Sequence, residues 1–273
     1  MFNQMFVHKT SELGKRPTNE DQDLAFVNLD GTNTKYASVN LFCVFDGHGG
    51  PGVSLFLRKN LYRYLINKET TYPIPNDKIK MIYDIVQNKI KEEFKNNCEY
   101  MGSTCLVIIQ YKKDNKEYLQ ILNTGDSRAF INNYGRAMAL TTDHKPNKFD
   151  ELLRITDLGG EIKFDGVDWR IEGVSVSRSF GDTKAAPFIT HDCEIFKHRL
   201  THNDKFFVLA CDGLWDVLSC EDVNDFILTN MCIDKNTKKL ACKDKRKNIA
   251  KLLAMYAIKK GSLDNISIII VFL

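Results

Sequence analysis

Proline is scarce, with 6 in 273 residues, and neither it nor the 16 glycines gather into a tract that would mark a linker. No internal repeat or low-complexity segment occurs either, so residues 1–273 read as one domain. An excess of charge of one sign is also missing. The 38 Lys and Arg against 35 Asp and Glu leave a formal charge of +3, which argues against a dedicated nucleic-acid or membrane-surface binder. The longest apolar run, the terminal ISIIIVFL, falls far short of the roughly 20 residues a membrane helix needs. The opening MFNQMFVHKTSELGKR lacks a charged region followed by an apolar stretch, so no secretory signal is expected, and Phe2 excludes myristoylation. No C-x-x-C pair is present, and a structural zinc site is not expected. The 8 cysteines are scattered, and Cys43, Cys105 and Cys211 sit in apolar runs where a thiol behaves as a small hydrophobe, so all are expected to be reduced. A soluble, intracellular, monomeric protein is the expectation.

What is present is the composition of an ordinary globular protein, 43% hydrophobic and 27% charged, which excludes the disordered, collagenous and coiled-coil classes. Short apolar segments rich in β-branched and aromatic residues predict strands at 24–29, 38–45, 103–111, 117–124, 128–133, 205–211 and 265–272. Several are apolar throughout, so both of their faces should be covered. Helices are expected in pairs, 52–66 with 78–95 and 221–231 with 246–260; Ile79, Ile82, Val86, Ile90 and Phe94 form one stripe of the second. Ser219 and Asp222 form a capping box, and Gly261 closes the last helix. The joins GDS (125–127) and NNYGR (132–136) read as hairpin turns, making the sheets largely antiparallel. Together these imply an α+β sandwich of two sheets with helix pairs on both outer faces.

Asp46, Asp126 and Asp212 each follow a predicted strand, whereas Asp264 and the pair Glu20 and Asp21 precede one. In antiparallel sheets the end of one strand lies beside the start of the next, so all these acids can meet on one rim. Carboxylates crowded together repel strongly, and a cation must neutralise them. Hard oxygen donors suit Mg²⁺ or Mn²⁺, and a two-metal site bridged by Asp46 could activate water and stabilise a phosphoryl transition state. His48, two residues from Asp46 in FDGHGG, is placed to protonate a leaving group. Arg16, four residues before Glu20, could bind a phosphate oxygen with its fork of donors.

The segments GKRPTNEDQD, FCVFDGHGG, GSTCLVII, NTGDSRAF, TTDHKP, LGGEI, VSVSRSFGD, LACDGLWDVLS and GSLDNISIIIV occur in an order that resembles the metal-dependent protein phosphatases of the 2C type across nearly the whole chain. The resemblance implies a four-layer α-β-β-α sandwich. It also implies two metals held by Glu20, Asp46, the Gly47 carbonyl, Asp212 and Asp264, with Asp21 adjoining through water. A weaker third metal would use Asp126 with Asp212 and Asp216. Arg16 matches the phosphate-binding arginine and His48 the general acid. Residues 161–190 resemble the family's flap, although RIEGVSVSR (170–178) sets its glycine one residue nearer the final arginine than usual. Residues 232–247, with seven basic side chains, look like an insertion and read as a solvated loop.

The expected function is therefore hydrolysis of phosphoserine and phosphothreonine in proteins by a metal-bridging water. A thiol phosphatase would need a C-x₅-R phosphate cradle, and no such nucleophile is expected here. The alternative, a catalytically inactive scaffold of the same fold, should have lost metal acids that this chain retains. A metal-dependent nuclease or pyrophosphatase would not reproduce the order of DGHGG and DNIS.

Overall fold

A computed structural model of the chain describes residues 5–233, 240–242 and 247–273. Two sheets are built from β1 (Phe6–Glu12), β2 (Gln22–Phe26), β3 (Asn40–Phe45), β4 (Cys105–Lys113), β5 (Lys116–Thr124), β6 (Arg128–Asn133), β7 (Arg136–Ala139), β8 (Glu194–Arg199), β9 (Asp204–Ala210) and β10 (Ile266–Phe272). The first sheet runs β1-β10-β9-β6-β7 and the second β8-β5-β4-β3-β2. Every ladder in both is antiparallel.

The continuous apolar runs are explained by burial of both strand faces. In β3, Leu41, Cys43 and Phe45 point to the helices α1 (Gly52–Leu65) and α2 (Asn76–Phe94), while Phe42 and Val44 point to the other sheet. In β10, Ile266, Ile268, Ile270 and Phe272 face α5 (Cys220–Asn230) and α6 (Ile249–Lys259), and Ile269 and Val271 face inward to meet Phe42 and Leu106. Three apolar layers, helix on sheet, sheet on sheet and sheet on helix, thus give the expected four-layer order. The predicted stripe of α2 is the buried one, and the Ser219 capping box opens α5. The insertion expected at 232–247 lies mostly outside the described residues.

One turn differs from expectation. Asn133 pairs with Arg136, so NNYGR is a hairpin, but GDS is not. Both ladder positions beside β5 are taken by β4 and β8, and Gly125–Ser127 instead carries the chain from the second sheet to β6 of the first. Turn residues specify a change of direction without specifying which strand receives the chain. This crossover sets Asp126 between the two sheets.

The segment 161–190 forms a short hairpin, Lys163–Phe164 with Trp169–Arg170, and then returns to the sandwich. Phe180–Gly181 pairs with Gly102–Ser103, which in turn pairs with Gly47–His48. Its base is held by Glu151 of α3 (Phe149–Asp157), whose carboxylate accepts from Arg178 Nε at 3.0 Å and Arg154 Nη2 at 2.8 Å. Burial alone would raise the Glu151 carboxyl, but Arg178 and Arg154 hold it at about 2. Its folded value lies below the unfolded one, so its contribution is complete above about pH 4.5 and is lost as pH falls toward 2. Glu151→Gln should cost about 1.5–3 kcal/mol, the scale of hydrogen bonds to charged groups. Urea melts should show that deficit at pH 7 and a smaller one at pH 3.

Candidate active site

Strand pairing assembles the acidic rim. Gln22 opposite Phe45 sets Asp21 beside Asp46, and Cys211 N–H donating to the Ser267 carbonyl at 3.2 Å sets Asp212 beside Asp264. Thr104 stitches the two sheets there: its N–H donates to the Asp46 carbonyl at 2.9 Å, and its hydroxyl lies 2.8 Å from Ser127 Oγ, next to Asp126. Carboxylate oxygens of Asp46, Asp126 and Asp212 lie within 4.8 Å of one another. A second group of the same closeness joins Asp21, Asp46 and the Cys211 sulfur. Asp46 belongs to both.

A cleft of about 830 Å³ opens over this rim, lined among others by Arg16, Glu20, Asp46, Gly47, His48, Asp126, Asp212, Asp216 and Asp264. Asp21 does not line it and is buried behind Asp46. Asp212 and Asp216 bracket the single turn of α4 (Asp212–Trp215). Glu20 Oε2 accepts from Gly50 N–H at 2.9 Å, and its carbonyl accepts from the Ser54 hydroxyl. That carbonyl passes so near Gly47 that a Cβ there would sit 2.3 Å from it, so only glycine fits. Asp264 Oδ2 accepts from Arg16 Nη2 at 2.6 Å, which brings the arginine to the cleft mouth. Asn265 ties the Arg16 loop to β10, accepting from Glu20 N–H at 2.9 Å and donating to the carbonyls of Leu13 and Thr18.

Burial, reinforced by the neighbouring carboxylates, pushes Asp46 and Asp212 well above the usual acid range and Asp21 to about 6. Asp216 is raised for the same reason. Asp21 Oδ2 and Asp126 Oδ1 are buried without a hydrogen-bond partner. Orphaned, hard, anionic oxygens in this number fit a divalent cation of the magnesium or manganese kind. Cys211 does not compete for that role: burial holds its thiol protonated, and its sulfur accepts from Ser267 N–H at 3.1 Å.

Two charged side chains not singled out from the sequence enter the site. Lys145 Nζ lies 2.9 Å from Asp126 Oδ2. Burial would lower its pKa, but Asp126 above all, then Asp212 and Asp216, keep it raised, so it is an internal counter-cation. Asp182 Oδ2 lies 2.7 Å from His48 Nε2. The motifs TTDHKP and VSVSRSFGD contain both residues, but spacing along the chain says nothing about contacts across 134 positions. Cys193 and Arg199 do stand at C-x₅-R spacing, against expectation. Arg199 ends β8, which runs extended against β5 from Glu194, and six extended steps part the two residues by roughly 20 Å. They cannot form a phosphate cradle.

A family model described as Protein phosphatase 2C matches residues 13–266. The Oryza sativa protein named Probable protein phosphatase 2C member 13, mitochondrial, is 34% identical over 260 residues, 94% of this chain and 65% of its own length. The chain thus spans just under two thirds of that relative. Probable protein phosphatase 2C 45 of the same species is 34% identical over 269 residues, covering 96% of this chain and 85% of that one. Among solved structures, serine-threonine phosphatase 2C from Toxoplasma gondii shares the fold with a TM-score of 0.77 at 20% identity, over 100% of this chain and 96% of that one. The match runs from the Arg16 loop through the acidic rim to Asp264, and the chain belongs to the protein phosphatase 2C family.

Proposed function

We propose that this chain is a protein serine/threonine phosphatase that hydrolyses phosphoserine and phosphothreonine by direct attack of water, with no covalent phosphoenzyme. The observation that carries the reading is the rim itself: Asp46 is shared by a group with Asp126 and Asp212 and a group with Asp21 and the Cys211 sulfur, and it lines an open cleft beside His48 and Arg16. Two Mg²⁺ or Mn²⁺ ions would be held by Glu20, Asp46, the Gly47 carbonyl, Asp212 and Asp264, with Asp21 reached through water. A weaker third would be held by Asp126, Asp212 and Asp216. When bound, these cations supply the charge that offsets the phosphoryl oxygens and acidifies the attacking water.

The chain's own residues do the remainder. Arg16 presents a fork of donors, one of which is on Asp264, and the others suit a phosphoryl oxygen at the cleft mouth. Lys145 offsets Asp126 and so limits repulsion at the rim. His48 passes a proton to the departing serine or threonine oxygen. The proposed enzyme is an intracellular monomer acting on phosphorylated proteins; no described helix is long and apolar enough to cross a membrane.

A panel of phosphopeptides assayed with Mg²⁺, with Mn²⁺ and with excess EDTA tests the reading. Hydrolysis should require millimolar-range metal and vanish with chelator. Undiminished turnover in EDTA would overturn it.

A further inference from the structure

We propose that Asp182 is a positioning residue for this reaction: its carboxylate fixes His48 through Nε2, leaving His48 Nδ1 as the atom that delivers the proton. The inference rests on the reading of His48 as the general acid. Asp182 belongs to the returning end of the 161–190 segment, and its side chain is fully buried, whereas the His48 side chain is 31% exposed at the cleft. The carboxylate therefore meets the ring from behind, at 2.7 Å.

One further contact and two features of the backbone hold that carboxylate in place. Ser179 Oγ donates to the same oxygen that faces His48. Asp182 adopts a left-handed backbone, φ 44° and ψ 41°, a conformation uncommon outside glycine, asparagine and aspartate. The residue before it is clamped by α2: Gly181 N–H donates to Gln87 Oε1 at 2.9 Å, and Gln87 Nε2 donates to the Gly181 carbonyl at 3.0 Å. Space is reserved as well. A Cβ on Gly102 would lie 2.1 Å from Asp182 Oδ2 and 2.5 Å from His48 Nε2, so a side chain at 102 would wedge the pair apart.

Asp182 Oδ2 already accepts from Ser179 and faces Nε2, so Nε2 carries its proton toward Asp182 and keeps it throughout. In the transfer, the attacking water's oxygen bonds to phosphorus and releases a proton to solvent, while the P–O bond to serine or threonine breaks with its electron pair passing to the substrate oxygen, which takes the proton from Nδ1. His48 is left as a neutral imidazole with Nε2–H still on Asp182, and solvent water returns the Nδ1 proton.

The test compares wild type, Asp182→Asn, Gly102→Ala, His48→Gln and the double variant of Asp182 and His48, on a phosphopeptide and on aryl phosphates of graded leaving-group pKa. Outer partners of active-site ligands change function by about 10–100-fold, and Asp182→Asn should lose that much kcat on the phosphopeptide. It should lose little on p-nitrophenyl phosphate, at unchanged KM and Mn²⁺ affinity. Gly102→Ala should copy this pattern, and the double variant should be no worse than His48→Gln. Selective loss in His48→Gln with equal loss on both substrates in Asp182→Asn would overturn the positioning role. A non-selective His48→Gln would instead remove the general-acid reading and this inference with it. A readout that needs no folded variant is ¹⁵N NMR of histidine-labelled, Mg²⁺-loaded wild type, where neutral His48 should be the Nε2–H tautomer. The Nδ1–H tautomer would overturn the proposal.

Discussion

Asp46→Asn is expected to lower kcat/KM by more than about 100-fold at fixed Mn²⁺, since even partners one shell beyond a metal ligand are worth 10–100-fold. The same change should have the opposite effect on the metal-free protein. There the Asp46 carboxylate is buried and faces Asp212, Asp21 and Asp126, so its charge is a liability that Asn removes. Thermal melts in EDTA should show the variant at least as stable as wild type, and melts in Mn²⁺ should show it gaining far less from the metal. A group whose folded pKa is raised binds more protons folded than unfolded, so metal-free stability should fall as pH rises from about 4 through about 6, the value to which Asp21 is pushed. Asp46→Asn should flatten that fall, because the raised Asp46 carboxyl contributes to it. A variant that keeps wild-type turnover, or melts earlier in EDTA, would show that Asp46 is not the shared ligand.

His48→Gln should lose about 10²- to 10⁴-fold in kcat on a phosphopeptide, the usual worth of general acid catalysis, and much less on p-nitrophenyl phosphate. An alkoxide is a poor leaving group and needs the proton; an activated nitrophenolate does not. Burial alone would lower the His48 pKa, yet Asp182, then Asp126 and Glu20, hold it raised, which favours the protonated donor. Plotting rate against leaving-group pKa should give a steeper line for the variant. Parallel lines would assign the proton to another source.

The readable parts of this fold are those where both strand faces are buried. Runs such as NLFCVF and ISIIIVF carry no polar residue facing water, so strand length and apolar content sufficed to find β3 and β10. The edge strands β1 and β8 carry no such signature: FVHKTSE and EIFKHR mix half-buried with exposed residues, and neither is expected from the sequence. Helix α3 escaped notice for a related reason, because FDELLRITD buries little beyond Glu151 and Ile155. The acidic rim was legible because strand ends are local facts, and antiparallel pairing then brings Asp21 to Asp46 without further information. Lys145, Asp182, Thr104 and Gln87 were not, because each acts through a partner far along the chain. GDS misled because a turn's chemistry is local whereas its receiving sheet is decided by global packing.

The pairing of β1 with β10 governs how the protein is made. Phe6 lies opposite Phe272 and Glu12 opposite Ile266, and β10 also separates β1 from β9 in the sheet. β1 therefore waits for β10, which is translated much later. The second sheet draws only on residues 22–199 and can pair while the ribosome is still translating, whereas β1 has no sheet to join until residue 272 has left the exit tunnel. Closing a loop from β1 to β10 has a high contact order, so the pairing that sets Arg16 beside Asp264 should be a slow step in folding.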